Sequence, residues 1–99
     1  MTKIKLLADE MLEELEGAKN YAECYLEKKS LGETNWATKF KEMAEDELTH
    51  ASYLHEMIVE KINKLKEVYT PPVEMMDKWE HDHKEYVEKA AWIKTMLGM

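Results

Sequence analysis

The chain is poor in residues that break or staple a backbone: three glycines, two adjacent prolines and one cysteine in 99 residues. With Cys24 alone no internal disulfide can form, which fits a reducing compartment and points to the cytoplasm. No apolar run approaches the roughly 20 residues a membrane span needs. Asp9 and Glu10 fall where a secretory signal needs an unbroken apolar stretch, so no leader is expected. A basic face is missing as well. The formal net charge is −7, with acidic residues spread along the chain, which argues against binding nucleic acid through its phosphates. Charged residues make up 35% and hydrophobic ones 44%, a balance that excludes a disordered tail and suits one domain with a modest core.

What is present is helical periodicity. Gly32 suits a left-handed helix end, after which Thr34 or Asn35 can cap the next helix. At Thr70-Pro71-Pro72, Thr70 can cap and Pro71 fits a first helical position. The fold class is therefore all-α, with three long antiparallel helices over about 3–30, 35–68 and 71–97. Apolar residues recur at steps of three and four. The first helix shows Ile4, Leu7, Met11, Ala18, Tyr21 and Tyr25. The second shows Trp36, Phe40, Met43, Leu54, Met57 and Leu65, and the third Val73, Met76, Val87, Ala90 and Leu97. Eight methionines and three tryptophans read as filling for the core and for interfaces. Rods of this length expose much side surface, so self-association is expected.

Polar residues interrupt these stripes. The step after Met11 lands on Glu14, the steps after Met43 on Glu47 and His50, and those after Met76 on Glu80 and His83. Glu-x-x-His sets both side chains on one helix face a turn apart, within reach of one cation. Carboxylate with imidazole suits iron or manganese, and zinc as well. Blander readings stand beside this one. Leu15 can take the core position and leave Glu14 at the stripe edge. Glu47 and His50 can satisfy each other or the hydroxyls of Tyr21 and Tyr25. Trp79, Tyr86 and Ile93 offer the third helix another apolar face, which would leave Glu80 and His83 at the surface. His55 and His81 read as ordinary surface or boundary histidines.

The stretch from Glu14 to Tyr21, followed by MAEDELTHASYLHEM from Met43 to Met57, resembles the first helix pair of ferritin-like proteins, such as rubrerythrins and encapsulated ferritins. The tail from Pro71 is similar to that of small ferritin-like proteins from phage and prophage genomes. The resemblance implies a Glu on the first helix, seven residues before an aromatic, joining a Glu-x-x-His on the second. Here those are Glu14, Tyr21, Glu47 and His50. A full ferritin-like bundle has four helices, and this chain has three.

Reflection through the first turn sets Glu14 level with Ala51, beside His50 and Glu47. Reflection through the second sets His83 level with about Met57, so Glu80 and His83 either swap onto a neighbour or form a second polar layer near His55. A two-fold dimer of the first two helices would complete a four-helix core, with two each of Glu14, Glu47 and His50 around two iron ions. Glu47 would bridge the ions, Glu14 would be a terminal carboxylate and His50 would cap each one. The expected function is metal binding, with Fe(II) oxidation as the reaction the resemblance implies. The competing readings are a phage-type helical module that binds a host protein and a purely structural metal site.

Overall fold

A computed structural model describes residues 2–99. Its three helices are α1 (Thr2–Ser30), α2 (Thr34–Val68) and α3 (Val73–Leu97), with no strand among the described residues. The body is a rod of 55 × 18 × 17 Å, its length set by α2 at about 1.5 Å per residue. No described helix is long and apolar enough to cross a membrane.

Local chemistry explains the two breaks. Gly32 has φ of 75°, in the left-handed region that glycine enters without a Cβ clash. Its N–H donates to the Lys29 carbonyl, and the Glu33 N–H donates to the Lys28 carbonyl at 2.9 Å. These two bonds satisfy the last carbonyls of α1 and reverse the chain within three residues. The expected cap by Thr34 or Asn35 is not observed: Glu33 occupies the position and makes no side-chain capping bond.

At the second break α3 starts two residues later than expected, with Pro72 rather than Thr70 in the capping position. The reason is steric. Pro71 precedes a proline, whose ring disfavours helical backbone in the residue before it.

The core corrects the expected faces. In α1, Ile4, Ala8, Met11, Leu15, Ala18, Ala22 and Tyr25 are buried at alternating steps of four and three. Leu15 therefore takes the core position, with Glu14 at the edge of the stripe. Leu7 and Tyr21 are only half-buried. In α2 the buried line is Ala37, Ala44, Ala51 and Ile58, one residue on from the expected Trp36, Met43 and Met57. Small alanines on both helices let the α1 and α2 axes approach closely. The larger side chains turn outward instead, leaving Trp36, Met43 and Met57 between 39% and 54% exposed.

In α3 the alternative face prevails. Trp79 and Ile93 are buried and Tyr86 is half-buried, whereas Val73 and Val87 are exposed; of the expected stripe, Ala90 and Leu97 are buried. This helix runs parallel to α1, with Lys78 near Asp9 and Lys89 near Glu16. It runs antiparallel to α2, which it touches much less than it touches α1.

Candidate metal centre

The tight α1–α2 turn fixes the register of everything beyond it. Glu14 is thereby brought level with the Glu47-x-x-His50 turn of α2. His50 Nδ1 lies 3.6 Å from Glu14 Oε2 and 3.8 Å from Glu47 Oε1. One donor atom from each of the three lies within 4.8 Å of the other two. The side chains are 25% (Glu14), 27% (Glu47) and 55% (His50) exposed, so the cluster is open on one side.

That side is the one α3 leaves bare. Successive helical residues turn by about 100°. Asp9 and Glu16, which meet α3 through Lys78 and Lys89, therefore project from the side of α1 roughly opposite Glu14. On α2 the same turn angle puts Trp36, Phe40, Met43, Glu47, His50, Leu54 and Met57 within one arc. The cluster thus interrupts an outward apolar stripe. Two turns along from Glu14 and Glu47, Tyr21 of α1 and Phe40 of α2 face each other with ring centroids 6.3 Å apart.

Electrostatics mark Glu47 in particular. Its carboxyl is held above the ordinary carboxylate value, chiefly because it shares a hydrogen bond with Glu14, with burial and the Glu14 charge adding to the effect. Two carboxylates this close disfavour each other's charge unless a cation or proton lies between them. A sequence scan passes over Gly17, which stands one turn beyond Glu14 and leaves the room that Glu47 occupies. A Cβ at Gly17 would lie 3.2 Å from Glu47 Oε2. The substitution Gly17→Ala should therefore raise helix stability by up to about 1 kcal/mol in metal-free protein. If the cluster holds a cation, the same substitution should weaken its binding on the order of tenfold by displacing the carboxylate. Parallel thermal melts and metal titrations check this, and an unchanged affinity would show that Glu47 needs no such room.

Glu80 and His83 are not brought to this cluster. Both are exposed, because Trp79 rather than Met76 leads the inward face of α3. His83 instead meets His55, in agreement with the second polar layer that register allowed.

One further group, His81, Asp82 and Glu85, also brings donor atoms within 4.8 Å. There the buried Asp82 is already paired with Lys78 at 2.7 Å, and this bond holds the lysine above its ordinary value. An ammonium therefore sits where a metal would have to bind. Asp82 is absent from the expected site, although its spacing, three after Trp79 and four before Tyr86, puts it on the buried face.

Comparisons with family models, with curated proteins and with solved structures give no match for this chain.

Proposed function

We propose that this chain is a ferritin-like metal-binding protein in which Glu14, Glu47 and His50 hold a divalent cation and a second copy completes the site. The observation that carries the reading is the position of the cluster. Two carboxylates and an imidazole converge on the face that α3 leaves uncovered, inside a stripe of exposed apolar side chains. A solvated surface has no use for Trp36, Met43 and Met57 around a self-repelling carboxylate pair. An interface with a second α1–α2 pair uses both features. The apolar residues would pack across a two-fold axis, and the carboxylates would meet their counterparts around the ions.

Elongation supports the same reading. The chain exposes 6455 Å², against about 5,900 Å² for a compact monomer of this mass.

The donor set suits iron first, with manganese and zinc as alternatives. Iron would supply Fe(II) oxidation by oxygen. The chain's own contribution is to hold the ion between Glu14 and Glu47, with His50 as the neutral donor, and to exclude water once the apolar stripes close. The same outward stripe also fits a helix of a different protein, which is the competing, non-enzymatic reading.

Anaerobic Fe(II) titration combined with light scattering separates the two. The expected result is about one iron per chain and a mass twice the 11.7 kDa of one chain. A monomer with no saturable affinity for Fe(II) or Mn(II) would favour the helix-binding module instead.

A further inference from the structure

A second pair of donors lies apart from that cluster, where α3 crosses α2. His55 Nε2 is 2.8 Å from His83 Nδ1, and the ring centroids are 5.0 Å apart. His55 is also packed against two other rings of α3. It stacks on Tyr86 with centroids 4.5 Å apart and planes 16° apart, and Trp79 lies 5.4 Å away. These contacts hold the His55 ring with Nε2 aimed at α3.

We infer that His55 and His83 form a two-imidazole site for a borderline transition-metal ion (zinc, nickel or copper) that clips α3 to α2. Bonds of about 2.0–2.1 Å from each nitrogen to a shared ion put the two nitrogens roughly 3 Å apart. At a tetrahedral angle such an ion replaces the shared proton once the 2.8 Å contact opens by about half an ångström and the rings tilt so that both lone pairs converge beside the line joining the nitrogens. His83 is exposed, which leaves an entry path and room for water to complete the coordination.

The chemistry differs from that of the first cluster. Two imidazoles without a carboxylate favour the later metals of the first row, whereas Glu14 and Glu47 bring the harder oxygen donors that suit iron and manganese. Such a clip joins α2 and α3, which have little else between them, α3 being seated chiefly on α1. Metal binding here reads out as firmer docking of α3.

The test uses the full chain carrying Glu47→Gln, so that the first cluster has lost its central carboxylate. Zn(II) added alone should bind at one ion per chain. At tenfold excess over its dissociation constant it should raise the melting temperature on the order of 5 °C. Adding His83→Asn should abolish both effects, and Cu(II) spectra should lose the splitting from a second nitrogen. Zn(II) binding that survives His83→Asn, or is absent from the Glu47→Gln chain, overturns the proposal. Comparing native and Glu47→Gln chains with Fe(II) reports on the first cluster separately, so either site can fail without the other.

Discussion

Glu47→Ala should abolish Fe(II) binding and leave the metal-free chain at least as stable as the native one at pH 7. The sign follows from proton linkage. In the folded chain Glu47 titrates above its ordinary value of 4.5, because it shares a hydrogen bond with Glu14 and is partly buried. The native state therefore keeps a proton over a pH range in which the unfolded chain has already released it. Stability from this group is full below 4.5 and is lost as pH rises through the raised value. At pH 7 two neighbouring carboxylates repel each other without a cation, and removing one relieves the repulsion. If Glu47 instead served only as a structural partner of His50, its removal would lower stability by at most about 1 kcal/mol, because His50 is 55% exposed and water takes the partner's place. Thermal melts at pH 5 and pH 7 with chelator, then with Fe(II) under nitrogen, distinguish the two. A metal-free Glu47→Ala chain that melts well below the native one at pH 7, with no Fe(II) response in either, would remove the case for a metal centre.

If two chains meet over the Glu47 face and hold iron there, as proposed, Met43→Lys should return them to single chains and weaken Fe(II) binding by at least an order of magnitude, with little change in the stability of each chain. Met43 is 39% exposed, so lysine there costs the isolated fold little. It lies one turn before Glu47 on the uncovered face of α2. In a two-fold interface the substitution would place a pair of ammonium groups in an apolar seam beside the cation. Burying an unpaired charge costs several kcal/mol, enough to dissociate a modest dimer. Val73→Lys is the control, since Val73 is 73% exposed on α3, away from that face. Light scattering across a concentration series would show the effect. If Met43→Lys and Val73→Lys both leave the mass at that of the native protein, the face around Glu47 is not where chains meet.

The helices and the meeting of Glu14 with Glu47 and His50 are legible in the amino-acid order. Both depend on local quantities. Gly32 supplies a left-handed residue and the two prolines interrupt the helix, so the ends follow from backbone sterics. Once the first turn is short, a constant rise per residue carries Glu14 to the level of His50. The same reasoning sets His83 well away from that level and near His55. Which face of each helix points inward is another matter. In α2 two heptad stripes lie one residue, or about 100°, apart: alanines and isoleucines from Ala37 to Ile62, and larger residues from Trp36 to Met57. Side-chain size favours burying the second, yet the first is buried, because its alanines let α1 and α2 approach closely around Met11, Leu15 and Ile58. In α3 the choice between the faces of Met76 and Trp79 is settled by the groove α1 offers. That choice exposes Glu80 and His83, buries Asp82 against Lys78, and sets His55 among the rings of Trp79, His83 and Tyr86. Helix register, and helix ends to within about two residues, were determined by the sequence alone, through backbone chemistry acting over a few residues. The identity of the inward faces was decided only when three helices competed for one shared interior.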